Sequence, residues 1–320
     1  MNGFRRLLRT AVTGFVFALS AHSSAFCLTY TCDAKKGECL KDPETGCYQG
    51  GKALFWASPV VSYDVQQDDS ALQGISYDQL HTVVVEAFQR WQDVSCDEDG
   101  NHPSISLVDF GKVACAKPEY NKSRPNQNVI TFHDAEWPYQ NSGAETLALT
   151  TVFFNPETGE IYDANIEINS YQTAGSPPKF VIGEGEPGSD QDDLNAVLTH
   201  EIGHFLGLSH SIIGTSTMYQ SYQSGMTSLE DDDIAAICAS APPGRVTTDP
   251  GNPPGEPRHG FSKECGKPEN GCCASTIGGS APASGPLALW TFGLGLVAWC
   301  GRGRARRLAR TTRSARALPR

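Results

Sequence analysis

The segment His200-Glu201-Ile202-Gly203-His204-Phe205-Leu206-Gly207-Leu208-Ser209-His210 constrains this 320-residue chain more than any other feature. Residues four apart share one face of a helix, so the imidazoles of His200 and His204 can reach a single ion. Glu201, one position on, comes close to that ion's water without being a ligand. Gly207 can take a backbone conformation unfavourable to other residues, which ends the helix and turns the chain. The turn lets His210 supply a third nitrogen. Three protein ligands leave a coordination position open for water, the pattern of a catalytic rather than a structural zinc site. A bare His-Glu-x-x-His arises by chance in about one chain per hundred of this size, and requiring Gly207 and His210 lowers that by roughly three orders of magnitude. Surface histidines on an ordinary helix are therefore a poor explanation.

The rest of the chain supplies a frame for such a helix. Val60 to Gln66 alternates as a half-buried strand would, and Tyr77 to Val94 reads as an amphipathic helix built on Leu80, Val84, Ala87 and Trp91. Short strands are expected at Ile105 to Phe110 and Asn128 to His133. Leu147 to Phe154, the turn at 155–159 and Ile161 to Asn169 form a predicted hairpin. In its second arm Asp163, Asn165, Glu167 and Asn169 alternate with Tyr162, Ala164, Ile166 and Ile168, which predicts a solvated polar face over an apolar one. The motif helix is expected from Gln191 to about Leu206, with Asp190, Asp192 and Asp193 in its first turn complementing the dipole. A last helix spans Leu229 to Ala239, with Ser228 and Asp231 resembling a capping box. His102, His133 and His259 lack partners at ligand spacing and are read as ordinary residues.

Charge and cysteines indicate the compartment. The formal net charge is −11, but the three Arg of residues 1–25 and the eight of residues 301–320 stand apart from the rest. Without them, 14 basic residues face 36 acidic ones, a body near −22 that repels nucleic acid and anionic lipid. Arg5, Arg6 and Arg9, the apolar run from Ala11 to Leu19 and the small residues at 23–25 read as a signal peptide over 1–25. Four of the 11 cysteines crowd residues 26–50, and Cys96 and Cys115 lie further on. In an exported chain these read as disulfides whose pairing the spacing does not decide.

The histidine pattern, matched without a gap and followed by Met218 in Ser216-Thr217-Met218-Tyr219, resembles the metzincin metallopeptidases. Ser211 and the eight-residue step from His210 to Met218 are most similar to the matrixin (matrix metalloproteinase) branch. The resemblance covers roughly 55 to 240. It implies an α+β domain with a twisted, mostly parallel sheet, an active-site helix and a C-terminal helix. It further implies His200, His204 and His210 as zinc ligands, Glu201 as general base, Met218 beneath the metal and Gly207 at the turn. Structural calcium is a further ion of the family, and protein or peptide substrates are the implied partners of a monomer. No Pro-Arg-Cys-Gly propeptide motif is present.

Composition divides the remainder. A zinc metallopeptidase domain is expected over 51–241. Residues 242–271 are rich in Pro, Gly and polar residues and read as a linker. Residues 272–300, uncharged and opened by Cys272-Cys273, read as a marginal membrane span or sorting segment, with the Arg-rich 301–320 cytoplasmic by the positive-inside rule. This layout resembles the sorting tails of myxobacterial surface proteins, which implies a bacterial cell-surface location and membrane contact through the C-terminal segment.

Overall fold

The computed structural model describes residues 25–139, 146–171, 180–183, 191–223, 226–245, 253–267 and 310–316. Residues 1–24 of the expected signal peptide and the 272–300 span lie outside the described residues.

Near the N-terminus lie β1 (Cys27–Leu28), β2 (Leu40–Lys41), β3 (Tyr48–Gln49) and β4 (Phe55–Trp56). Then come β5 (Val60–Gln66), α1 (Tyr77–Gln92), β6 (Ser106–Val113) and β7 (Val129–Phe132). The hairpin is β8 (Thr146–Phe154) and β9 (Glu160–Ile168), followed by the short β10 (Phe180–Val181) and β11 (Asp192–Asp193). The remaining elements are α2 (Leu194–Phe205), β12 (Leu208–Ser209), α3 (Asp231–Ser240) and β13 (Arg310–Arg316). The central sheet runs β13-β8-β9-β7-β5-β6, with β4 also on β9. Pairings among β5, β6, β7 and β9 are parallel, whereas β8 is antiparallel to both β9 and β13. This is the α+β, mostly parallel architecture expected.

Helix α1 begins where Ser76 and Gln79 form a reciprocal capping box. Its apolar face, Leu80, Val83, Val84, Ala87, Phe88 and Trp91, is buried against the sheet and α2. Phe88 stacks on Tyr63 of β5 at 3.9 Å, and the Trp91 indole donates to the Thr199 carbonyl of α2 at 2.8 Å. Burying each of these large side chains is worth about 2–3 kcal/mol, and together they press α2 against the sheet.

The structure corrects four expectations. The polar face of β9 is not solvated: Asp163, Asn165, Glu167 and Asn169 are all buried. The reason is a second layer. Residues 114–127 cross that face at its Asp163 end, with the Tyr120 ring 6.1 Å from Phe153, the residue opposite Asp163, while His133 and Tyr139 bond to the Glu167 carboxylate at the other end. Residues 253–267, expected as a linker, fold back beside them through the Cys115–Cys265 disulfide and the bridges Asn126–Phe261 and Val61–Gly255. Arg258 pairs with Glu160 at 2.7 Å. Strand β5 is likewise buried on both faces, and desolvation pushes the carboxyls of Asp64 and Asp163 well above the usual carboxylate range. Finally, the capping box of α3 joins Glu230 and Asp233, not Ser228 and Asp231.

Four disulfides join the described cysteines: Cys27–Cys47, Cys32–Cys39, Cys96–Cys238 and Cys115–Cys265. The two long ones tie the end of α1 to α3 and the sheet cover to itself.

Candidate metal centre

Helix α2 starts at Asp193, whose side chain accepts from Asn195 N at 2.8 Å. All of it but Asn195 is buried, because α1 and the strands β8 and β9 pack against it. The helix must end early for the third histidine to return, and the local chemistry does this. Gly207 has φ +89°, and a Cβ there would meet the Leu54 carbonyl at 2.9 Å, so glycine is required twice over. The Phe205 carbonyl left over at the helix end accepts from the Trp56 indole at 2.9 Å.

The turn brings His200, His204 and His210 together, their candidate ligand atoms all within 4.8 Å of one another. Two of the rings are oriented through Nδ1. His200 Nδ1 donates to the Thr217 carbonyl at 2.6 Å, and His204 Nδ1 to the Leu208 carbonyl at 3.0 Å. Donation from Nδ1 leaves the lone pair on Nε2, the atom facing the cluster. His200 Nε2 is buried without a hydrogen-bond partner, and His204 Nε2 lies 3.1 Å from His210 Nε2. Burial holds His200 below the usual histidine range, partly opposed by the Thr217 carbonyl. A neutral, oriented imidazole with an unfilled lone pair is what a divalent ion needs, so this donor set fits zinc. No second group of three or more His, Cys, Asp or Glu able to hold an ion occurs among the described residues, so the expected calcium finds no such cluster.

Glu201, the residue after His200 on α2, is fully buried. Thr150 Oγ1, on β8, is 2.5 Å from its Oε2, while Oε1 has no partner. Desolvation pushes the carboxyl up to about 8, with the Thr150 bonds opposing the rise. Its unpartnered oxygen, one residue along the helix from His200, is an open acceptor for a proton.

Met218 is buried against α2, and Gly203 explains how it fits: a Cβ there would lie 2.1 Å from the Met218 sulfur. The turn holding Met218 is fixed by a residue that sequence reasoning missed. Asp233 of α3, fully buried, accepts through Oδ1 from Ser216 Oγ (2.5 Å) and Met218 N (3.0 Å). Its Oδ2 accepts from Thr217 N (2.8 Å) and Glu230 N (3.0 Å). Only its place in the acidic run 230–233 marked it, and that run reads equally well as a helix start. Beyond His200, a mainly apolar pocket is lined by Leu147, Ala196, Val197, Tyr219, Tyr222 and Met226.

Comparison with known proteins agrees with this geometry. The sequence model of the matrixin family matches residues 55–239. Matrix metalloproteinase-C of Caenorhabditis elegans is 25% identical over 208 residues, which is 62% of this chain and 31% of that protein. Karilysin of Tannerella forsythia is 26% identical over 195 residues, 59% of this chain and 33% of karilysin. Matrilysin of Mus musculus is 27% identical over 190 residues, 57% of each chain. The chain thus spans about a third of the length of the first two relatives. The family match takes in more than half of the chain, with all three histidines, Glu201, Gly207 and Met218 inside it, and the chain belongs to the matrixin family.

Proposed function

We propose that this protein is an exported zinc metalloendopeptidase in which His200, His204 and His210 hold the ion and Glu201 is the general base. The observation that carries the reading is the pair of open acceptors on neighbouring residues of α2: the orphaned Nε2 of His200, whose ligand atom lies within 4.8 Å of those of its two companions, and the orphaned Oε1 of Glu201. When bound there, zinc supplies Lewis-acid chemistry, acidifying a water molecule and polarising the scissile carbonyl. Glu201 then takes the water's proton on its open oxygen and hands it to the leaving amine, with Thr150 steadying the other oxygen. No covalent enzyme intermediate is needed. Met218 and Gly207 serve as the floor beneath the ligands and as the turn between them.

The substrate would lie extended along the outer edge of β8, pairing backbone to backbone. That β13 takes this position antiparallel to β8, Arg313 opposite Thr150, supports the view that the edge accepts an extended chain. The pocket under Tyr219 and Tyr222 would receive the side chain beyond the cleaved bond. Export rests on the basic, apolar and small-residue pattern of 1–25, and the four disulfides suit an oxidising compartment. A bacterial cell surface, reached through 272–300 with the Arg cluster cytoplasmic, extends the same reading. Anchoring of this kind would draw Arg310–Arg316 away from β8 and leave its edge to substrate. No helix among the described residues is long and apolar enough to cross a membrane.

Glu201→Gln tests the assignment: it should bind zinc as the parent does and lose nearly all peptide cleavage. Undiminished turnover in that variant would remove Glu201 from the mechanism.

A further inference from the structure

We infer that Thr29, which lies outside the family-matched residues, is a positioning residue for the metal ligand His204, and that the disulfide-stapled N-terminal segment is through it a working part of the metal centre. This rests on the metallopeptidase reading above.

The observation is a shared acceptor. The Leu208 carbonyl that takes the Nδ1–H of His204 at 3.0 Å also takes the hydroxyl of Thr29 at 2.8 Å. Leu208 follows the Gly207 turn, beyond the end of α2, so no helical hydrogen bond holds its carbonyl in place. Thr29 supplies what the helix no longer can. Its main-chain N–H donates to the Gly207 carbonyl at 2.9 Å, and its own carbonyl accepts from Leu54 N at 2.7 Å. With β1 paired antiparallel to β12, Cys27 opposite Ser209 and Leu28 opposite Leu208, residues 207–209 of the link between His204 and His210 are laced to the N-terminal strand. Thr29 is 6% exposed, so water does not compete for the shared carbonyl.

The staple makes the strand stay. Cys27 is bonded to Cys47, and the same loop reaches the far side of His210, where a Cβ on Gly46 would come within 3.2 Å of Ile212 Cγ2. One disulfide-closed segment therefore touches the chain both before and after the third histidine. An imidazole whose Nδ1 partner is fixed keeps both its tautomer and its ring angle, and loss of such partners weakens metal binding.

The test is zinc affinity, measured on the full chain with its disulfides formed, by competition with a chromophoric chelator. Thr29→Val deletes the hydroxyl at nearly constant shape, and Thr29→Ser keeps it. T29V should weaken zinc binding about ten- to hundredfold, in the range typical of such partners, and T29S should restore most of it. Thermal midpoints of the metal-free proteins separate positioning from general destabilisation, since the zinc effect should exceed any shared loss of stability. If T29V does not fold, T29A makes the same deletion without added bulk. T29V and parent binding zinc equally, or T29S falling as far as T29V, would overturn the inference while leaving the peptidase reading intact. A parent chain that binds no zinc would end both.

Discussion

His200 and His204 are oriented alike, each by Nδ1 on a main-chain carbonyl, yet the two carbonyls are secured by unlike means. The Thr217 carbonyl belongs to a turn gathered around the Asp233 carboxylate by three hydrogen bonds, with a fourth from Glu230 at the start of α3. The Leu208 carbonyl is held by one hydroxyl and a two-residue ladder from a strand that a disulfide keeps in place. The first support lies within the matrixin match and the second before it. A buried charge serving several donors concentrates much stability in one residue, whereas a neutral ladder spreads it over several. The same task near one ion is thus done by a rigid, costly device on one side and by a replaceable one on the other.

The heaviest blow to this contrast should come from Asp233→Ala. It leaves the Ser216 hydroxyl and the N–H groups of Thr217 and Glu230 without their acceptor and Met218 N–H with Ser216 Oγ alone, and should cost about 4 kcal/mol by denaturant titration. An unchanged midpoint would mean that the methionine turn holds itself.

The burial of Glu201 gives the metal-free protein a pH dependence. With the carboxyl raised from 4.5 to about 8, the unfolded chain ionises first and the folded chain keeps its proton. Stability of the metal-free protein should therefore fall as pH rises through that window, by roughly 3–5 kcal/mol, and level off above it. Glu201→Gln should flatten the curve. A parent whose metal-free stability rose across the same range would contradict the burial seen here.

Replacing Cys27 and Cys47 by serine should cost about 3 kcal/mol through the freed loop and also weaken zinc binding. The Cys32–Cys39 pair flanks no residue of β12 and serves as the control: its removal should leave zinc affinity alone. Equal effects on zinc would erase the distinction between the two staples.

The smallest effect is on stability in T29V, about 1 kcal/mol for one hydrogen bond. Thr29 and Asp233 share no hydrogen-bond partner, so their stability losses should add to within ~0.5 kcal/mol. Strong coupling between them would make the two supports one.

The metal centre was legible because its information is local. Spacings of four and six residues on and after a helix translate directly into convergent imidazoles, and Gly207 announces the turn between them. The amphipathic face of α1 and the hairpin of β8 and β9 were legible for the same reason. What stayed hidden was long-range. Alternation in β9 shows that Asp163 and Asn165 share a face, but not that Tyr120 and residues 253–267 come back to cover it. A Pro- and Gly-rich composition cannot show that Cys265 is pinned to Cys115. Thr29, 179 residues from the carbonyl it holds, carries no mark at all in the sequence. The Asp233 carboxylate was visible only as one of several acids at the start of α3.

One measurement bears most directly on the central claim: cleavage of a generic protein substrate by the full, oxidatively folded chain, with and without a zinc chelator, beside Glu201→Gln. The account predicts cleavage that the chelator abolishes, that zinc restores, and that the variant lacks while still binding zinc. Cleavage indifferent to the chelator, or a variant as active as its parent, would contradict it.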